Sequence, residues 1–239
     1  MNACIVIAAE ENFRPGLTTL LYSLRKHNPG LPPVKIASAS ISEFEDCEIL
    51  AVDPSEYKGC APVGSRFTAA WHKLEAFRLH GFDQVVLLDS DLLCLGDISE
   101  LWAETSADIR TTLLKRGVDS SVCVLGKKIR DHWVHHKLVW YGRNGKSYDG
   151  GDQGAIDSLL AQFHFKHKPL ARKYSVLKRI YKTPQWANIK KDIRLLHFVG
   201  SKKPWNAGLP ASALERNGGE RGYEELEEIW HRYHREATA

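Results

Sequence analysis

Residues Val85-Val86-Leu87-Leu88 are apolar without a break, and Asp89-Ser90-Asp91 follows at once. Such a run reads as a buried strand. Side chains at i and i+2 of an extended segment point the same way, so the strand delivers both carboxylates to one rim. Two oxygen ligands placed like this can hold a hard divalent cation and leave positions open for a phosphate. The triplet alone is weak evidence: with thirteen Asp in 239 residues, chance supplies roughly 0.7 Asp-x-Asp triplets. Its weight comes from the strand before it and from a second metal-competent cluster far downstream.

Around that strand, strand-like and helix-like patterns alternate, which predicts an α/β layer architecture. Residues 4–9 form a short β-like run. Leu17, Leu20, Leu21 and Leu24 then recur at helical spacing, closed by Asn28-Pro29-Gly30. Segments 34–37 and 47–52 read as strands, and Phe67 to His80 as an amphipathic helix leading into the strand at 84–88. Later strands are expected at 113–114 and 122–125, with helices at 98–102, Ile129–Trp140 and Asp152–Phe163. A short apolar run follows at Leu195–Phe198. The last helix, about Tyr223 to Arg235, carries glutamates first and His and Arg last, as the helix dipole favours. Gly208–Gly222 is the most linker-like stretch. The chain thus divides into 1–206 and a C-terminal linker and amphipathic helix at 207–239.

The length suits one large domain or at most two small ones. A formal net charge of +4 falls far short of a dedicated nucleic-acid binder, and no nucleic-acid partner is expected. Cys4, Cys47, Cys60, Cys94 and Cys123 are odd in number, scattered and without a Cys-x-x-Cys pair. That argues against a disulfide framework and for a reducing compartment. The first nine residues are apolar, lack a basic leader and meet Glu10-Glu11, so they read as a strand and not a signal peptide. No apolar stretch approaches the ~20 residues that span a bilayer. A soluble, cytoplasmic protein is the expectation.

Two further constellations carry chemistry. In His197-Phe198-Val199-Gly200-Ser201-Lys202-Lys203-Pro204-Trp205, the histidine can supply an imidazole ligand, the glycine admits a phosphate close to the backbone, and a lysine can neutralise it. The competing reading is a satisfied core histidine beside a structural turn. Asp149-Gly150-Gly151-Asp152-Gln153-Gly154 opens a helix. Asp152 either caps that helix or faces a sugar together with Gln153, where carboxylate and amide stabilise developing positive charge.

The three motifs in this order resemble the glycogenin-like members of glycosyltransferase family 8: a carboxylate-x-carboxylate triplet, Asp-Gly-Gly-Asp-Gln, and His-Phe-x-Gly-x-x-Lys-Pro-Trp. The resemblance runs from the first strand to about Trp205 and implies a single-domain GT-A fold, a Rossmann-like nucleotide-binding sheet flanked by helices. It implies a retaining, metal-dependent transferase that moves a hexose from a UDP-sugar to a glycan or other hydroxyl acceptor. On the same ground Asp89, Asp91 and His197 are expected to bind Mn²⁺, with Mg²⁺ also admitted, and Gly200 and Lys203 to hold the diphosphate. Ser90, Ser120, Gly151 and Asp152 complete the expected donor contacts. Lys73, sixteen residues before Asp89, matches a lysine that contacts donor, and an exposed helix lysine is its competing reading. Phe13 matches an aromatic that packs on uracil, with Ala8 and Ala9 near the base, and competes with a core phenylalanine. Asp152 and Gln153 are the catalytic candidates.

One departure stands out. Where the family carries Asn-x-Gly, this chain has Asp119-Ser120-Ser121. An ionised aspartate accepts hydrogen bonds but cannot donate, so the choice of donor sugar is the point at issue. Tyr181 lies near the self-glucosylation region of glycogenin-like relatives but reads better as a core or surface tyrosine. The basic, aromatic-interleaved stretch 163–191 is either a solvated face or a peripheral contact for an anionic glycan or membrane surface. Two rival functions are a non-catalytic sugar-nucleotide or glycan-binding module and an Asp-x-Asp phosphatase. The phosphatase would place its pair on the first strand.

Overall fold

The computed structural model describes residues 2–64, 68–115, 117–200, 202–206 and 222–239. The first half of the chain runs β1 (Ala3–Ala8), α1 (Arg14–His27), β2 (Val34–Ser38), β3 (Glu48–Ala51), β4 (Gln84–Asp89), β5 (Leu92–Cys94) and β6 (Ile109–Leu113). Then come β7 (Val118–Gly126), α2 (His132–Arg143), α3 (Asp152–Gln162), β8 (His167–Pro169), β9 (Val176–Leu177), α4 (Pro184–Ile189), β10 (Leu195–His197) and α5 (Glu224–Ala237). Two compact units share the chain: Met1–Glu11, Pro32–Asp89 and Ser99–Ala171 form one, and Asn12–Leu31, Ser90–Ile98 and Arg172–Ala239 the other.

The first unit holds a seven-stranded sheet in the order β3-β2-β1-β4-β7-β6-β8. Strands β3, β2, β1 and β4 are parallel, and β7 runs antiparallel to both β4 and β6. The carboxyl ends of β1 and β4 therefore share an edge with the amino end of β7. Ala8 stands opposite Asp89, and Leu88 opposite Val122. Ligands of open α/β sheets collect at such carboxyl edges. Cys4, Val6, Val85, Leu87, Cys123 and Leu125 join Trp71, Leu74 and Phe77, Val134 and Leu138 of α2, and Ile156 and Leu159 of α3 in one core. The alternate residues Ile5, Ile7, Val86 and Leu88 are just as buried. Burial on both faces is why β4 is apolar without a break from Val85 to Leu88.

Several boundaries differ from expectation. The helix expected from Phe67 is a 3-10 helix over Thr68–Arg78, and Phe67 itself lies outside the described residues. The helix expected from Ile129 starts at His132, because the Asp131 carboxylate caps it by accepting from the Trp133 N–H at 3.0 Å. Strand β7 begins at Val118, four residues earlier than expected, and so contains Asp119-Ser120-Ser121.

The second unit carries a small sheet, β5-β10-β9, in which β10 is antiparallel to β5 and parallel to β9. Leu93, Val176, Leu196, Phe198, Leu226, Trp230 and Tyr233 form its core. Helices α1 and α5 meet through edge-on Tyr22 and Tyr233 and a 2.8 Å hydrogen bond between His27 Nε2 and the Tyr233 hydroxyl. The linker expected at Gly208–Gly222 lies outside the described residues as far as residue 221. Within the basic stretch Lys178 is buried and donates to the Lys202 carbonyl at 2.9 Å, whereas Arg172 and Arg179 are exposed. All five cysteines are free, and no described helix is long and apolar enough to cross a membrane.

Candidate functional site

In the first unit the centre of the site is Lys73. The 3-10 helix that carries it buries Trp71, Leu74 and Phe77, and Lys73 itself is only 5 % exposed. Its ammonium donates to Asp89 Oδ1 at 2.8 Å and to Ser120 Oγ at 3.3 Å, and it forms an ion pair with Asp152 Oδ2 at 2.8 Å. Burial works against the charged amine, but Asp152 and Asp89 outweigh it and hold Lys73 above its ordinary value. For Asp152 the balance falls the other way. Burial pushes its carboxyl up, Lys73 offsets only part of that, and Asp89 adds to the rise. The strand-end carboxylate and the helix-start carboxylate are thus joined by one buried cation, and the exposed-lysine reading does not hold.

Asp152 is free for that role because another residue caps α3. Asp149 Oδ1 accepts from the Ser147 hydroxyl at 2.8 Å and from the Gly151 and Gly154 N–H groups at 3.0 Å each. Gly150 makes the turn possible with φ +75, a conformation that side chains resist. The capping alternative for Asp152 is therefore corrected: Asp149 caps, and Asp152, the first helical residue, turns inward at 4 % exposure. Gln153 points elsewhere, its amide donating to the Tyr148 hydroxyl at 3.1 Å. Asp119 lies buried in β7, its Oδ1 accepting from the Ser121 N–H at 2.9 Å, while Ser120 reaches Lys73.

Ala8 ends β1, and Ala9 follows it. Next to them is a pair that sequence reasoning missed, Glu10 and His72, in contact at 2.6 Å. Glu10 also accepts from Ser40 Oγ at 2.5 Å and the Ala39 N–H at 3.2 Å. Burial pushes the Glu10 carboxyl up, but Ser40, Ala39 and His72 outweigh it and hold it below its ordinary value. A second missed cluster, Glu56, Glu75 and His135, has metal-competent side chains. Arg78 contacts Glu56 at 2.5 Å and Glu75 at 3.3 Å, and the Tyr57 hydroxyl meets Glu75 at 2.5 Å and His135 Nε2 at 2.9 Å. Nothing in the sequence spacing signals either group, because each is assembled from separate elements.

In the second unit Asp91 is the hub. It pairs with His197 Nε2 at 3.0 Å through Oδ1 and with the Lys203 ammonium through Oδ2. Lys203 also donates to the Phe198 carbonyl at 2.9 Å, and the Phe198 N–H donates to the Asp91 carbonyl at 3.0 Å. The β5–β10 ladder sets this up by pairing His197 with Leu92. Burial would raise the Asp91 carboxyl, yet His197 and Lys203 hold it well below the carboxylate range. Gly200 takes φ +102 in the turn between the two basic groups. Lys203 stands 5.7 Å over the Phe13 ring, and Phe13 meets Trp205 edge-on at 5.6 Å. Phe13 is therefore half-buried against Lys203 and Trp205. A Cβ on Gly16 would come within 2.9 Å of the Ser90 carbonyl and 2.6 Å of Trp205, so that helix start needs glycine.

The family model described as glycosyl transferase family 8 matches residues 128–208. Glycogenin-2 of Homo sapiens is 25 % identical over 226 residues, covering 86 % of this chain and 44 % of that protein. Glycogenin-1 of Caenorhabditis elegans is 24 % identical over 251 residues, covering 96 % of this chain and 55 % of its own length. The chain spans about half the length of these curated relatives. The solved galactosyltransferase LgtC, in complex with donor and acceptor sugar analogues, superposes with a TM-score of 0.73 at 16 % identity, covering 99 % of this chain and 96 % of that one. The glycosyltransferase GlyE of Streptococcus pneumoniae gives 0.67 at 17 % identity, covering 98 % and 61 %. By sequence the chain is similar to glycosyl transferase family 8 over residues 128–208, and by fold it is similar to solved glycosyltransferases of the GT-A architecture.

Proposed function

We propose that this chain is a UDP-sugar glycosyltransferase that works with a divalent cation and retains the configuration of the transferred sugar. The observation that carries the reading is Lys73, buried between the last residue of β4 and the first of α3, which ties the carboxylate triplet to the Asp-Gly-Gly-Asp-Gln motif. Asp91 ties the same triplet to the His-Phe-x-Gly-x-x-Lys-Pro-Trp motif through His197 and Lys203. The donor set of two carboxylates and an imidazole fits Mn²⁺ better than Mg²⁺, and the low-lying Asp91 carboxyl is ionised as a ligand must be. Asp89, Asp91 and His197 would hold the ion. When bound, such an ion neutralises the charge that builds on a departing diphosphate.

The remaining work falls to the chain's own groups. Lys203, now on Asp91, supplies an ammonium to the diphosphate, and Gly200 leaves the backbone open to it. Lys73 engages Asp152 through Oδ2, which makes that carboxylate a poor nucleophile. The acceptor hydroxyl therefore attacks the anomeric carbon on the face from which the diphosphate leaves. The carbon–phosphate oxygen bond breaks, and the hydroxyl proton passes to the departing phosphate oxygen. Asp152 stabilises the positive charge of the oxocarbenium-like centre.

The test is release of UDP from a panel of UDP-sugars, with and without Mn²⁺. Asp91→Asn and His197→Ala should each lower turnover at least 100-fold with an unchanged circular dichroism spectrum. Mn²⁺-dependent UDP binding without turnover on any donor would replace this reading with a sugar-nucleotide-binding module. Phosphate release from phosphomonoesters would replace it with a phosphatase.

A further inference from the structure

Tyr148 stands out among the described residues as the most exposed aromatic side chain. It is 57 % exposed, yet the chain on either side of it is tied down. Ser147 Oγ donates to the Gly151 carbonyl at 2.6 Å and to Asp149 at 2.8 Å, and Asp149 in turn holds the start of α3. The Lys146 N–H donates to the Tyr141 carbonyl at 2.8 Å, and Ser158 Oγ donates to the Lys146 carbonyl at 2.7 Å. The ring is thus presented to solvent from a fixed loop, and its hydroxyl accepts from Gln153 Nε2 at 3.1 Å.

Successive helical residues are about 100° apart around the axis, and α3 uses this to separate two tasks. Asp152 turns inward to Lys73 and Asp89, while Gln153 is half-exposed and turns to Tyr148. An exposed tyrosine offers a large amphipathic surface with only two rotatable side-chain bonds to order. A pyranose has a matching character, with a face of C–H groups and a rim of hydroxyls. We propose that Tyr148 is the acceptor-positioning residue: its ring carries the C–H face of the acceptor sugar, and its hydroxyl fixes the Gln153 carboxamide beside it. This deepens the transferase reading and rests on it.

The experiment compares UDP release supported by p-nitrophenyl hexosides with UDP release supported by water, in the wild type and in Tyr148→Phe, Tyr148→Trp and Tyr148→Ala. Phe keeps the ring and frees Gln153, so both rates should fall together, about threefold, and their ratio should hold. Trp should likewise keep the ratio. Ala removes the platform, and the hexoside-to-water ratio should drop at least tenfold, mainly through the hexoside KM. A ratio in Tyr148→Ala within twofold of the wild type overturns the proposal, as does an equal drop in the Phe variant. If the wild type releases no UDP even with water, the transferase reading has failed. Titration of the same hexosides by calorimetry then judges Tyr148, and equal affinity in wild type and Tyr148→Ala overturns it.

Discussion

Replacing Lys73 with methionine keeps most of the side-chain volume and removes the charge between two carboxylates. Asp152 is then left at 4 % exposure with no cation. Breaking a buried ion pair from one side costs about 3–5 kcal/mol, because the surviving charge stays desolvated. For a chain of this size that is a fall in Tm of roughly 6–20 °C. Adding Asp152→Asn removes the stranded charge, so the double variant should recover at least ~2 kcal/mol of the loss, seen as a coupling energy in a double-mutant cycle. The pH dependence has a definite sign. Burial already raises the Asp152 carboxyl, and Lys73 is what restrains the rise. Without Lys73 the folded state binds a proton that the unfolded state has released, so the deficit shrinks as pH falls. Urea unfolding followed by tryptophan fluorescence at pH 7.5 and pH 5 measures both effects. A loss below ~1 kcal/mol at pH 7.5, or single-variant costs that add within ~0.5 kcal/mol, would refute the idea that one buried cation organises this end of the sheet.

Other consequences are more local. His135 is 1 % exposed, and burial first, then Arg78, His136 and His132, pushes its imidazole down to about 3. The unfolded chain takes up this proton near 6.5 while the folded one does not. Stability should therefore fall as pH drops from about 6.5 toward about 3, by at most ~1.4 kcal/mol per pH unit. Urea midpoints of the wild type and His135→Asn across that range give the difference slope, and equal slopes would show that His135 does not titrate as argued. Asp149→Ala strips the Gly151 and Gly154 N–H groups of their acceptor and leaves the Ser147 hydroxyl with the Gly151 carbonyl alone. It should cost about 1–2 kcal/mol in thermal melts, more than the same change at a surface aspartate.

The long-range chemistry of this chain was legible wherever a local pattern carried it. The unbroken apolar run before Asp89 announced a doubly buried strand, and β4 is one, because residues 85–88 are covered on both faces. Asp89 and Asp91 could be placed at its end for the same reason. The triplet, the Asp-Gly-Gly-Asp-Gln segment and the His-Phe-x-Gly-x-x-Lys-Pro-Trp segment could be ordered from residue identity alone. Their partners could not. Sixteen residues of sequence separate Lys73 from Asp89, and no periodicity says that such a lysine is buried. The parallel β1–β4 pairing and the antiparallel β7 decide that, by bringing Ser120 and Asp152 to the same rim. Whether Asp152 caps the helix or turns inward stayed open, because Asp149 takes the cap through a positive φ at Gly150, which identity permits but does not dictate. The Glu10–His72 pair and the Tyr148–Gln153 contact are likewise tertiary or loop events. Sequence by itself determined which chemical groups this protein has and which strand ends bear them. Only the fold decided which cation meets which carboxylate, since buried charges settle where backbone topology leaves them a partner.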